Sequence, residues 1–416
     1  MFEVFENNES EVRSYCRKFP AVFSEAKNAL LIDREGREYI DFFAGAGAMN
    51  FGHNNPYIKQ AILEYLSKDR IIHALDMYTE AKEAFLDSLN KCILSPRGLD
   101  YKVMCCGSTG ANAVEAALKL SRKVKNRSNI FAFSGAFHGM SIGALSMTGD
   151  RFSRNGAGIA LSNVTFMPYF NAFDDENISL DYLENVLKDD HSGIDKPAAV
   201  FLETVQAEGG INVAPIDWLK RLRKICDEND ILMVVDDIQV GVGRTGNFFS
   251  FERANVVPDM VVLSKSISGF GLPMSLLLMK PEYDIFKPAE HNGTFRGNQL
   301  AFVGSRAGME YYNDNDLPTI VKEKEKIIKD HLTKNVLSLN ENLKIRGIGM
   351  IWGIDFSGID ASYALKISHR CFERGVVIEL AGRNDAVLKI LPPLTIEKDM
   401  LVNGLNVISE EIAHAV

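Results

Sequence analysis

Two acids and one lysine stand where buried strands would deliver them. Asp236 and Asp237 close the apolar run ILMVVDDIQ (231–239), and Lys265 follows a second apolar run, 260–263, opening into SISGFGLP. Short apolar runs bounded by turn residues read as buried strands of a parallel sheet. In such sheets ligands sit beyond the carboxyl ends of the strands. An acid and an amine are thus expected at neighbouring strand ends, each backed by hydrocarbon. That pairing suits an aldehyde cofactor with a ring nitrogen: the amine makes a Schiff base and the acid keeps the ring protonated. A lone lysine is ordinarily a solvated charge, and a strand-end aspartate a cap or turn former. Here Gly269, Gly271 and Pro273 follow Lys265 closely and keep the backbone near whatever the lysine holds.

Other strand ends add to the pair. After YKVMCC, the turn Gly107-Ser-Thr-Gly110 opens the helix ANAVEAALKLSRKVK, in which Glu115 and Lys119 are spaced for an i, i+4 pair. Free amides and the positive end of the helix dipole make such a turn an anion site, although a plain cap by Ser108 or Thr109 has the same sequence. The run 129–149 ends a strand in Phe137-His138-Gly139, which core packing would equally produce, and 198–210 ends one with Glu203, Gln206 and Glu208. Each signal is weak alone. Together they describe a pocket for a phosphorylated aromatic aldehyde, pyridoxal phosphate.

These side chains need a scaffold. Length, 416 residues, exceeds one ordinary core, so a large and a small lobe are expected. The spacing predicts helices over 56–68, 79–94 and 217–229, and a hairpin over 29–42 around Asp33–Gly36. The glycine-rich loop 42–56 is either flexible or lines the site. Residues 170–196, acidic and polar, look like a surface excursion. From about 310 the texture changes: a long charged helix near 318–344, a strand-like 347–356, a helix over 362–374 and two short strands. The expected division is 1–55 (arm and part of the small lobe), 56–309 (large cofactor-binding domain) and 310–416 (small domain).

Composition excludes several functions. A net charge of −9 argues against a nucleic-acid surface, and 46% hydrophobic with 24% charged residues is the balance of a globular protein. Six cysteines show no CxxC pair and no metal is expected, so reduced thiols are. MFEVFENNES lacks the features of a secretory signal and no apolar run could span a bilayer, so a cytoplasmic location is expected.

With these segments in view, the chain resembles the class III pyridoxal-phosphate aminotransferases. The likeness runs from YIDFFAGAGAMNFGHNNP to LKILPPL and is most specific in VVDDIQVGVGRTG, LSKSISGFGLP and HNGTFRGN. It implies an α/β aspartate-aminotransferase-like fold (fold type I), with a mostly parallel seven-stranded sheet and a smaller lobe drawn from both chain ends. It also implies a homodimer with a shared active site. By similarity Lys265 forms the Schiff base and shuttles the proton, and Asp236 pairs with the ring nitrogen. Phe137 and Ile238 would sandwich the ring, and Gln239 would approach its phenolic oxygen. Thr109, Gly110 and Ala111 would hold the phosphate, completed by Thr294 of the other subunit, while His138 belongs to the family's aromatic-His-Gly element. Within the family, DFFAGAGAMNFGHNN, LDMYTEAK, TGANAVEAALKL and EHNGTFRGNQLAF look most like the diaminobutyrate–2-oxoglutarate transaminase branch. That branch implies ping-pong transfer of a terminal amino group between 2,4-diaminobutyrate (as aspartate 4-semialdehyde) and glutamate or 2-oxoglutarate.

Two departures bear on the substrate. Many members carry Ser-Gly-Thr-Glu where this chain has Thr109-Gly-Ala-Asn112, leaving the phosphate more to backbone amides. Where the family often presents an arginine to a substrate carboxylate, this chain has Lys389, a point charge without a planar fork. Glu208 matches the acid that pairs with that arginine in ornithine-type members, and Arg296 is a candidate second donor; a structural ion pair would equally account for Glu208 and Lys389. Ornithine, 4-aminobutyrate or another ω-amine, or an aminomutase reaction, stay open as alternatives. A nucleotide-binding dehydrogenase is disfavoured because no G-x-G-x-x-G opens a βαβ unit. A non-catalytic relative would have no need of both Lys265 and Asp236.

Overall fold

The apolar runs assemble into one seven-stranded sheet. The structure, a computed structural model, describes residues 2–416. In chain order the strands are β1 (Lys102–Cys105), β2 (Ile130–Phe133), β3 (Val164–Met167), β4 (Ala199–Leu202), β5 (Leu232–Asp236), β6 (Met260–Ser264) and β7 (Ser275–Met279). Their spatial order is β1-β7-β6-β5-β4-β2-β3. All neighbours are parallel except β7, which runs antiparallel to β6 and β1. The short link from β6 to β7 cannot hold the crossover that a parallel return needs, so the strand comes back reversed.

The central strands β2, β4, β5, β6 and β7 are buried at every residue. Alternation divides them between two faces. Leu232 and Val234 of β5 pack with the helix Gly110–Lys125, whose Ala113, Ala116 and Ala117 permit close approach. Met233 and Val235 belong to the opposite core with Trp218, Leu222 and Ile225 of the helix Ile216–Glu228. The stretch 170–196 is more than an excursion. It contains a helix, Asn177–Lys188, that buries Leu180 and Leu183, and its Ser179 Oγ accepts a 2.8 Å bond from Trp218 Nε1.

Two smaller sheets carry the rest. The hairpin around Asp33 forms, with Leu30–Asp33 against Glu38–Asp41, and Asp33 Oδ1 accepts from the amides of Glu35 and Arg37 at 3.0 and 2.9 Å. Its second strand pairs in parallel with Val376–Val377, Ile40 opposite Val376, so the two ends of the chain share a sheet. A separate antiparallel sheet orders Lys344–Ile348, Ile351–Asp355, Val387–Ile390 and Glu379–Ala381. The single strand expected over 347–356 is therefore a hairpin. It turns at Gly349, whose φ of +55° and contact with the Arg244 carbonyl leave no room for a side chain. The charged helix is also shorter than expected, Leu317–Asn335, because the following residues turn back into Lys344–Ile348.

Candidate active site

The carboxyl ends of β2, β4, β5 and β6 enclose a cavity of about 180 Å³, lined among others by Ala111, Phe137, His138, Glu208, Ile238 and Lys265. Asp236 ends β5 and faces this cavity. The next residue, Asp237, points the opposite way as alternation requires, and its Oδ2 accepts from the Ser250 amide at 2.9 Å. One of the two acids is thus a site residue and the other a buried brace. Burial pushes the Asp237 carboxyl up to about 7, with hydrogen bonds from Ser250 opposing the shift.

Asp236 is held from both sides. Its Oδ2 lies 2.8 Å from His138 Nδ1, and its Oδ1 accepts from the Ile238 amide at 3.2 Å. His138 is 2% exposed, and its amide donates to Thr148 Oγ1 at 3.0 Å. Its Nε2 is buried without a partner among the described residues. Behind this pair lies Glu203, whose Oε2 accepts from the Phe137 amide at 3.1 Å. Burial, and then the charge of Asp236, pushes the Glu203 carboxyl well above its ordinary range.

Lys265 directly follows β6 with φ +54°, a left-handed conformation that costs a non-glycine residue about 1–2 kcal/mol. Its Nζ donates to the carbonyl of Ala46 at 2.9 Å, and Gln239 Nε2 donates to the same oxygen at 2.8 Å. Burial lowers the Lys265 pKa; Glu208 opposes that shift and Lys389 adds to it. The Ala46 carbonyl is presented by an unusual turn in which Ala44, Gly45, Ala46 and Gly47 all have positive φ. Asp41 holds the turn, accepting from the amides of Phe43 and Ala44 at 2.9 and 2.8 Å through Oδ1 and meeting His53 Nε2 at 2.7 Å through Oδ2. The glycine-rich loop therefore lines the site.

On the anion side, Thr109 starts the helix Gly110–Lys125 but makes no side-chain cap. The amides of Gly110 and Ala111 have no acceptor among the described residues. A Cβ on Gly110 would stand 2.8 Å from Ile238 Cδ1, so the turn comes right against the cavity wall. Asn112 braces the turn by accepting from the Gly107 amide at 2.7 Å. Glu115 does not pair with Lys119. It accepts from the amides of Gly143 and Ala144 at 3.0 and 3.4 Å, tying the Phe137-His138-Gly139 loop to this helix, while Lys119 Nζ reaches the Glu290 carbonyl at 3.2 Å.

Lys389 is fully buried between two acids, its Nζ 2.6 Å from Glu208 Oε1 and 2.8 Å from Glu379 Oε2. Burial alone would lower this ammonium; Glu208 and then Glu379 more than reverse that and hold it above the usual lysine value. For Glu208 the attraction of Lys389 and then Lys265 outweighs burial, and its carboxyl is held low. Glu379 Oε1 also accepts from Tyr15 Oη at 2.9 Å, which brings the N-terminal segment to the cluster. Thr294 and Arg296 do not join the cavity of their own chain. Thr294 is exposed, and Arg296 lines a separate cleft with Lys102 and His291, its Nη1 3.3 Å from Asn292 Oδ1.

Glu379 and Tyr15 were not among the sequence candidates, whereas Glu203 carried a signal as an acid at the end of a buried strand and the Ala46 carbonyl lies in the glycine-rich loop 42–56. A cradle with free helix amides, a buried carboxylate locked by an imidazole and an amine of lowered pKa fits a phosphorylated pyridine aldehyde.

Comparisons with known proteins agree with this chemistry. The family described as "Aminotransferase class-III" matches residues 13–412. A diaminobutyrate–2-oxoglutarate transaminase of Bordetella parapertussis is 52% identical over 99% of this chain and 95% of its own length. A protein of the same name from Wolinella succinogenes is 50% identical over 98% of this chain and 95% of its own. Among solved structures, the ornithine aminotransferase of Toxoplasma gondii superposes with a TM-score of 0.86 at 25% identity, covering 100% of this chain and 94% of that one.

Proposed function

The chain belongs to the class-III aminotransferases, pyridoxal-phosphate enzymes of fold type I, and from that premise we propose its substrates: a terminal amino group passes between 2,4-diaminobutyrate (or aspartate 4-semialdehyde) and glutamate or 2-oxoglutarate. The observation that carries the substrate is the roughly 50% identity, over nearly the whole chain, to several proteins of that name.

Bound, the cofactor supplies an aldehyde to receive an amine and a protonated ring that draws electrons from the substrate carbon. We assign the chain's own parts as follows. Lys265 attaches the cofactor through Nζ, and when free it carries the proton to and from the substrate carbon. Its lowered pKa favours the neutral, nucleophilic amine. Asp236 holds a proton on the ring nitrogen, and His138 fixes that carboxylate in place. Phe137 and Ile238 flank the ring, Gln239 approaches the phenolic oxygen, and the Thr109–Ala111 turn binds the phosphate through its amides.

A homodimer is part of the proposal, with Thr294 of each subunit completing the phosphate site of the other. In support, Phe295 and Tyr78 are 68% and 101% exposed, with Ile71, Ile72 and Met77 also open, an apolar belt of the kind a partner covers. Substrate choice is tested by half-reactions with 2,4-diaminobutyrate, ornithine and 4-aminobutyrate, followed through the cofactor's absorbance. Diaminobutyrate should react with the highest kcat/KM, and a higher value for either rival amine overturns the assignment. Lys265→Ala should lose both turnover and the visible absorbance of the attached cofactor; retention of either removes Lys265 from its role.

A further inference from the structure

We propose that Ser266 is a positioning residue: its hydroxyl clamps the turn 44–47 so that the Ala46 carbonyl holds the amine of Lys265 whenever that amine is free of the cofactor. This rests on the role assigned to Lys265 above. An amine that leaves the cofactor when substrate arrives, and returns when product goes, needs a resting place within reach of both. The four-carbon stem of lysine is flexible and does not fix the amine by itself. A misplacement of about 1 Å can cost about a hundred-fold in rate.

Two segments of left-handed backbone meet here. Lys265 has φ +54°, and in the turn that receives its amine Ala44, Gly45, Ala46 and Gly47 have φ +48°, +57°, +55° and +84°. Lys265, Ala44 and Ala46 carry a Cβ, so each costs about 1–2 kcal/mol, and such backbone persists only where its surroundings over-determine it. One hydroxyl joins the two segments. Ser266, next to Lys265 in the chain and buried, donates through Oγ to the Gly47 carbonyl at 2.7 Å and accepts from the Asn50 amide at 3.1 Å. Behind it, Asn50 Nδ2 donates to the Val242 carbonyl at 2.9 Å, and Asn50 Oδ1 accepts from the buried Arg244.

The acceptor is fully committed. A carbonyl oxygen has two lone pairs, and at Ala46 Lys265 Nζ and Gln239 Nε2 take both, at 2.9 and 2.8 Å. The kind of acceptor matters chemically. Glu208 and Asp236 also line the cavity, and a carboxylate that captured the amine would favour its charged form, which is no nucleophile. A neutral carbonyl orients one N–H without adding a charge. The lone pair of the neutral amine then stays available to an aldehyde or to a substrate proton. Because Ser266 ties the lysine's own segment to the loop that carries the acceptor, losing its hydroxyl loosens the acceptor first.

The test reads the lysine without any substrate. Full-length protein is stripped of cofactor and given pyridoxal 5'-phosphate, and visible absorbance grows as the amine attaches. In Ser266→Ala the rate at neutral pH should fall about ten-fold, the worth of one hydrogen bond. Its rise with pH should also move to higher pH. An amine released by the carbonyl falls to the carboxylates that act on it, Glu208 and Asp236, with Glu379 adding to their pull and Lys389 opposing it. In the loaded enzyme kcat should fall by a similar factor with KM little changed, since Ser266 is not part of the cavity wall. Ser266→Cys, close in shape but weak in hydrogen bonding, should show the same changes at smaller size, and it carries the test if Ser266→Ala does not fold. A lowered denaturation midpoint with an unmoved pH profile would make Ser266 a brace of the fold alone and overturns the proposal, as does attachment at the unmutated rate. Should the unmutated protein develop no such absorbance, the reading of Lys265 fails first and the clamp falls with it.

Discussion

His138 Nδ1 and Asp236 Oδ2 meet at 2.8 Å, and the two residues are only 2% and 5% exposed. A carboxylate so deep in the protein keeps its position only through such partners. The imidazole, which also lines the cavity, thus fixes the Asp236 carboxylate in place.

Removing His138 should therefore weaken cofactor retention without unfolding the chain. A buried acceptor left unmet costs about 1–3 kcal/mol, so His138→Ala should release the cofactor about ten-fold more readily. Absorbance of the holoenzyme during dialysis measures this. Retention equal to the unmutated enzyme would show that Asp236 needs no brace.

Lys389→Met should be strongly destabilising because it leaves Glu208 and Glu379 without their shared cation. Breaking a buried ion cluster in this way costs about 3–5 kcal/mol, read from the denaturant midpoint. Adding Glu379→Gln should recover part of the loss. A double variant no more stable than Lys389→Met would mean the two acids do not depend on the lysine.

Asp237 gives a pH dependence of known sign. Its carboxyl ordinarily titrates near 3.8 and in the folded protein near 7. Between those values the folded state keeps a proton that the unfolded chain releases, so this group's contribution to stability falls as pH rises. The slope is up to ~1.4 kcal/mol per pH unit. Asp237→Asn should flatten the stability curve across that window, and equal slopes for the two proteins would exclude the group as the cause.

Gly110→Ala separates folding from cofactor binding. The new Cβ would press on Ile238 Cδ1, 2.8 Å away, a side chain that lines the cavity. The thermal midpoint without cofactor should change little, while cofactor affinity drops. A variant that binds the cofactor normally would show that the cavity has room to spare.

Much of this arrangement was legible in the sequence because it follows from local pattern. The runs before Asp236 and Lys265 are continuous and β-branched, and strand burial on both faces requires that. The turn around Asp33 was readable from its own side chain. What escaped depends on register or long-range contact. Glu379 meets Lys389 only because the turn at 382–385 sets the pairing of two short strands, and Tyr15 reaches Glu379 across most of the chain. Glu115 has the spacing for a helix pair with Lys119, yet the Gly143 and Ala144 amides, having no helical partner of their own, compete for it successfully. The helix Asn177–Lys188 carried helical spacing in Leu180, Leu183 and Leu187, but the acidic and polar residues around it read as a surface excursion.

The parallel pairing of Ile40 with Val376 has a consequence for how the enzyme is made. The turn presenting the Ala46 carbonyl hangs from a strand paired on one side with residues 30–32 and on the other with residues 376 and 377, and the Phe42 carbonyl accepts from the Leu391 amide at 2.9 Å. During translation the seven-stranded sheet can form as soon as its own segments leave the ribosome, whereas the lysine's roof waits for almost the last residues to emerge. A nonsense mutation just short of position 376 would thus give a chain that still buries its central core but leaves the amine of Lys265 uncovered.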